Sequence, residues 1–60
     1  MNTNLPSDPL ILLSFVNTQL RDFYPSLDDF CTTFQLDETE LQTKLSVIDY
    51  AYDAATNQFT

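Results

Sequence analysis

Ser26-Leu27-Asp28-Asp29 and, eleven positions later, Asp37-Glu38-Thr39-Glu40 are the stretches on which the fold turns. Each sets an oxygen-bearing cap residue three positions before a carboxylate, the reciprocal pattern that satisfies orphan amides at a helix start. The spacing predicts a helix over 27–35, a turn from Gln35 to Asp37 with Leu36 pointing inward, and a helix over 38–48. Helix, tight turn and helix at this spacing form the frame of a helix-turn-helix.

Upstream of that frame, Asp8-Pro9 reads as another helix start. Asp8 caps, and Pro9 takes the first helical position, where its missing amide costs nothing. This helix should run from Pro9 to about Phe23, because Pro25 bars helical angles at the residue before it. Residues 1–7 form a polar N-terminal arm with Leu5 as its anchor. Downstream the period changes. Tyr50 and Tyr52 alternate with Ala51 as in a strand. Residues 53–57 read as a turn and 58–60 as a return strand, giving a hairpin over 50–60. A hairpin of this length favours glycine at its left-handed position, and the chain has no glycine. Asn57 is the best substitute, and Asp53 can accept from amides within the turn. The expectation is a single small domain over 1–60, mainly α: a three-helix, helix-turn-helix-like body over 8–48 with a short C-terminal β-hairpin, winged-helix-like.

At 100° per residue, helix 2 is cleanly two-sided, with Leu27, Phe30, Cys31 and Phe34 inward and Asp28, Asp29, Thr32 and Thr33 outward. Helix 3 turns Leu41, Leu45 and Ile48 inward. Helix 1 carries its main stripe on Leu12, Leu13, Val16, Leu20, Phe23 and Tyr24. Ile11 and Phe15 lie nearly opposite that stripe and touch each other, being four apart. With Leu10 beside them they suggest a contact surface, unless the N-terminal arm or the hairpin folds over them. Val47 on helix 3 is a weaker case of the same kind.

Two basic residues, Arg21 and Lys44, stand against nine acidic ones, for a net charge of -7. Such a field keeps a small protein soluble and repels nucleic acid and anionic membranes. Thr39, Gln42, Thr43 and Ser46 on the outer face of helix 3 could contact base edges. Affinity for DNA, however, comes chiefly from phosphate contacts made by lysine and arginine. Here the turn that would enter the groove holds Asp37, Glu38 and Glu40, so DNA is disfavoured as a partner. The longest nearly apolar stretch, Pro9 to Val16, is too short to span a bilayer, and no lysine or arginine precedes it as in a secretory signal. A cytoplasmic location is therefore expected, with no membrane partner.

Catalysis is not expected. There is no histidine to act as base and no glycine-rich phosphate loop. Cys31 falls on an apolar face, as a buried structural thiol rather than a nucleophile. Asp28 and Asp29 point about 100° apart and suit the helix dipole; as a cation site they are weakly signalled. One cysteine and no histidine leave no disulfide and no zinc site. No cofactor, metal or small-molecule ligand is indicated. Asn17 and Arg21, one turn apart at the edge of the helix 1 stripe, are candidates for a polar contact with a ligand or partner. The structural reading of the same pair has Arg21 bonded to an acid on a neighbouring element such as Asp28 and Asn17 to a nearby backbone group.

The run Leu5-Pro6-x-Asp8-Pro9, then Leu12-Leu13-Ser14-x-Val16-Asn17-x-x-Leu20-Arg21-Asp22-x-Tyr24-x-Ser26-Leu27-Asp28, resembles a small family of uncharacterised bacterial proteins, domain-of-unknown-function family 4250. The ending Ile48-x-Tyr50-x-Tyr52-Asp53-x-x-x-Asn57-Gln58-Phe59 is similar as well. The resemblance implies a free-standing bacterial cytoplasmic protein of this length and no activity. Members of that family tend to carry glycine where this chain has Asp49; if the exit of helix 3 needs a left-handed backbone there, aspartate adopts it at some cost.

A chain of this size buries only about 60% of the surface its unfolded form exposes, and oligomerisation is the remaining way to add more. The functional expectation is accordingly a non-enzymatic protein-interaction module, a homodimer through helix 1 with Leu10, Ile11, Phe15 and Val47 at its interface. A different protein partner is also open. The alternative is a helix-turn-helix-type regulator acting on DNA or, as an acidic mimic, on a nucleic-acid-binding protein.

Overall fold

A computed structural model of the chain describes residues 5–60; residues 1–4 of the expected N-terminal arm lie outside that range. Three helices and a hairpin follow in order: α1 (Pro9–Asp22), α2 (Leu27–Phe34), α3 (Glu38–Ser46), β1 (Tyr52–Asp53) and β2 (Gln58–Phe59). The protein is thus mainly α with a two-stranded antiparallel sheet at its C-terminal end.

All three helix starts are capped by the expected residues. Asp8 Oδ1 accepts from the amides of Leu10 at 2.9 Å and Ile11 at 3.4 Å, with Pro9 in the first turn. Ser26 Oγ accepts from Asp29 N–H at 3.1 Å. Asp37 Oδ1 accepts from Thr39 at 2.9 Å and Glu40 at 3.3 Å. The return half of the first box is altered: Asp29 takes the Ser26 hydroxyl at 3.2 Å. Each cap contributes about 1 kcal/mol.

The helix ends lie one or two residues earlier than the periodicity suggests, and the chain leaves the helical region at Phe23 after α1, at Gln35 after α2 and by Asp49 after α3. Gln35 sits at φ 57° and Asp49 at φ 65°, both left-handed. Around each, the following amide reaches back to the start of the helix's last turn: Leu36 N–H donates to Cys31 C=O at 2.8 Å, and Tyr50 N–H to Leu45 C=O at 3.1 Å. Gln35 and Asp49 N–H then donate to the Thr32 and Ser46 carbonyls at 3.2 and 3.0 Å. These are Schellman closures. They usually carry glycine, and here they are made with side chains in place.

The hairpin pairs Tyr52 with Phe59 and Asp53 with Gln58. Ala51 and Thr60 exchange both backbone bonds, at 3.1 and 2.9 Å, so the ladder extends one pair beyond the strands. Tyr50 stays outside it. Asn57 holds φ 55°, as the turn requires, and Asp53 Oδ1 accepts from Ala55 N–H at 2.9 Å.

The core joins Leu12, Val16 and Leu20 of α1, Leu27, Phe30 and Cys31 of α2, Leu41 and Leu45 of α3, and Phe59 of β2. Leu5 and Leu36 pack against it, half-buried. Two aromatic positions depart from the helical-wheel expectation. Phe23 is 69% exposed, because α1 ends at Asp22 and the backbone at Phe23 has turned to φ -129°. Phe15 is only half-buried, and α2 covers it: its ring meets Phe30 at 6.4 Å and Phe34 at 6.1 Å, edge to face. One residue step is about 100° of rotation, so Phe15 flanks Val16 rather than opposing it. The neighbouring α2 reaches round that far.

A left-handed aspartate costs up to about 1–2 kcal/mol that glycine would not, part of which glycine's freer unfolded chain returns. Asp49→Gly should therefore raise stability by about 0.5–1 kcal/mol. Urea denaturation checks this, with an unchanged slope and a higher midpoint.

Candidate interaction surface

Two asparagines bind the hairpin to the helices. Because Ala51 and Thr60 form a bonded pair, the next pair, Tyr52 and Phe59, turns its amides and carbonyls to the outer edges of the ladder. At β2 that edge faces α1. Asn17 Oδ1 accepts from Phe59 N–H at 2.8 Å, and Asn17 Nδ2 donates to Phe59 C=O at 3.1 Å. The side-chain amide thus stands in for the peptide of a third strand.

Asn57 links more. Its Nδ2 donates to Leu20 C=O at 3.1 Å and to Tyr24 C=O at 3.0 Å. Its Oδ1 accepts from the Tyr52 hydroxyl at 2.6 Å, and that hydroxyl accepts from Leu27 N–H at 3.2 Å. Carbonyls at the end of α1 and the first amide of α2 are therefore satisfied by one asparagine and one tyrosine from the hairpin. No buried side-chain polar atom among the described residues lacks a partner.

Asn17 accordingly takes the structural role, with Phe59 as its backbone partner. Arg21 does not reach Asp28. Its Nε and Nη2 donate to the carboxylate of Asp22 at 2.9 and 3.0 Å, a fork closed between adjacent exposed residues. That hydrogen bond holds the Asp22 carboxyl below the usual carboxylate range.

Beside this seam runs an open groove of about 560 Å³ between α1 and the hairpin. Leu10, Ser14, Thr18 and Arg21 form the helix wall, and Thr56 and Gln58 the hairpin wall. The described residues lining it include no carboxylate. Leu10 is 64% exposed and Ile11 58%. Val47 is also exposed, but at the end of α3. Of the candidate interface set, Phe15 is engaged internally, while Leu10 and Ile11 remain open on adjacent positions. The groove residues Ser14, Thr18, Thr56 and Gln58 were not legible as a group. Their signal was compositional: the longest uncharged run, Pro9 to Leu20, lies in space beside the uncharged run Ala54 to Thr60.

Most of the polar side chains on the outer face of α3 are bonded to their own helix. Thr43 Oγ1 donates to Thr39 C=O at 2.9 Å, Ser46 Oγ donates to Thr43 C=O at 2.7 Å, and Gln42 Nε2 donates to Glu38 at 3.4 Å. Three of the four groups that could read base edges, Gln42, Thr43 and Ser46, are thus turned to their own helix, beside the carboxylates of Glu38 and Glu40. Cys31 is buried, and burial pushes its thiol up to about 11, with Glu38, Asp28 and Asp37 adding to the effect. Among the described residues no three cysteine, aspartate or glutamate side chains come together as a metal site. No helix there is long and apolar enough to cross a membrane.

The sequence model of DUF4250, a domain of unknown function, matches residues 6–59, and the chain belongs to that family. No curated protein and no solved structure matches it.

Two outcomes are expected of this site. Asn57→Ala orphans two carbonyls and a hydroxyl, each costing about 1–3 kcal/mol, and should destabilise by roughly 2–4 kcal/mol in chemical denaturation. Asn57→Gly, which keeps the left-handed turn free of strain, isolates the hydrogen-bond share. The Cys31 thiol should resist a thiol reagent at pH 8 and become reactive only in step with unfolding, when followed against urea concentration.

Proposed function

We propose that this protein is a non-enzymatic interaction module that self-associates as a homodimer through α1. The observation that carries this reading is the open pair Leu10 and Ile11, 64% and 58% exposed on consecutive positions of a helix with no charged residue from Pro9 to Leu20. On a chain of net charge -7 an uncharged face bearing large aliphatics is where two molecules can meet without setting carboxylate against carboxylate. Phe15 contributes from behind, by bracing α1 against Phe30 and Phe34. Two-fold pairing is the commonest form of such self-association.

A second reading is supported by the carboxylates at the starts of α2 and α3. Asp28, Asp37 and Glu38 lie close enough to Cys31 to act jointly on its thiol, and no salt bridge among the described residues holds them. An acidic face of this kind suits a basic, nucleic-acid-binding protein. The regulator that binds DNA directly draws no support from the outer face of α3.

Light scattering after size exclusion tests the first reading. The expected mass is twice 6.9 kDa at high micromolar concentration; a 6.9 kDa species throughout rejects it. The second reading expects capture of basic proteins that is lost at high salt, while a gel shift at low salt would restore direct DNA binding.

A further inference from the structure

We infer that the groove between α1 and the hairpin is the seat of a second copy of this chain, with the two α1 helices antiparallel across a two-fold axis. The inference rests on the homodimer reading above and names its surface, partner geometry and ion pairs.

Two observations select this groove over the other exposed positions. The first is shape and chemistry. Leu10, Ser14, Thr18 and Arg21 recur at helical spacing along one side of α1, and the hairpin residues Thr56 and Gln58 raise a wall beside them. Small residues sit mid-groove, where two helices at a separation of about 8–10 Å need them. The Ser14, Thr18, Thr56 and Gln58 side chains have no hydrogen-bond partner among the described residues, so they are free to bond across an interface. On α3, by contrast, Thr43 and Ser46 are bonded to their own helix.

The second observation is charge. The described lining of the groove holds one cation, Arg21, and no carboxylate; Nε and Nη2 of that guanidinium fork onto Asp22 just outside the lining, and Nη1 points no hydrogen bond at a described residue. At the opposite end of the same helix stands the carboxylate of Asp8, exposed and engaged with amides through Oδ1. An antiparallel two-fold centred on the groove lays Leu10 of one protomer on the stem of the partner's Arg21. It also brings Asp8 within reach of the guanidinium's remaining nitrogen, Nη1, beside the Asp22 fork. Symmetry repeats both contacts. A parallel arrangement would set Arg21 against the partner's Arg21. Ile11, one step round the helix, faces away from the groove, and Val47 lies on another element.

The experiment is sedimentation equilibrium on the full chain and four single variants, each first shown by circular dichroism to keep its helices. All four sites are exposed, so folding should survive. In the expected result the wild type is a dimer, Leu10→Asp weakens association at least a hundredfold, and Ile11→Asp changes it by less than threefold. Arg21→Glu weakens it at least tenfold more than Lys44→Glu, which makes the same change of net charge outside the groove. A dimer that survives Leu10→Asp, or that responds equally to Arg21→Glu and Lys44→Glu, overturns the groove arrangement. If Ile11→Asp then dissociates it, the α1 homodimer stands without the groove. A monomeric wild type rejects both.

Discussion

The side chain of Asn57 is the joint on which the rest of this structure depends. It closes the end of α1 through the Leu20 and Tyr24 carbonyls and, through Tyr52, reaches the first amide of α2. Without those bonds the α1–α2 corner would hold polar backbone groups beside an apolar core, each unpaired at a cost of about 1–3 kcal/mol. The same residue must adopt a left-handed backbone for the hairpin to turn at all. One position thus answers two demands, and asparagine meets both because its amide is short, donates and accepts, and tolerates that conformation. Asn17 then docks the turned hairpin by its last core residue, Phe59.

Those links explain how so short a chain encloses a core. The three helices alone would leave α1 open along the edge where Phe59 now packs, 2% exposed. The hairpin fills that edge with one large ring and hydrogen-bonds the seam around it. The burial is coupled to the polar network: Phe59 enters the core because its own amide and carbonyl are held by Asn17. Tyr52, its ring tilted against Phe59 at 5.6 Å, carries the hydroxyl that both Leu27 and Asn57 use.

What could be read from the sequence was what is local. Asp8, Ser26 and Asp37 announce their helices because capping is decided within four residues. The apolar face of α2 follows from rotation about one axis. The left-handed turn at Asn57 follows from the lack of glycine where the hairpin needs it, whereas nothing in this chain's own residues decides the backbone at Asp49. The rest depends on separations that no local pattern records. Phe15 is sheltered by the flank of α2, and Phe23 is left outside by a helix that stops one residue early. The partners of Asn17 and Asn57 lie 42 and 37 residues away. The groove was hidden for the same reason, since its two walls come from opposite ends of the chain. Arg21 found a neighbouring acid in place of Asp28, because an adjacent residue on an exposed helix end needs no tertiary geometry to pair.

A chain with no glycine has a consequence on the far side of the folding equilibrium. Gln35, Asp49 and Asn57 each accept a strained backbone where glycine would have none. Yet every one of these positions also wanders less when the chain is denatured, because a side chain narrows the conformations open to it. The native joints are therefore more strained than glycine would leave them, and the denatured ensemble is smaller than it would otherwise be. For a domain that can bury little, reducing the disorder to be overcome offsets part of that strain, and it leaves no trace among the contacts themselves.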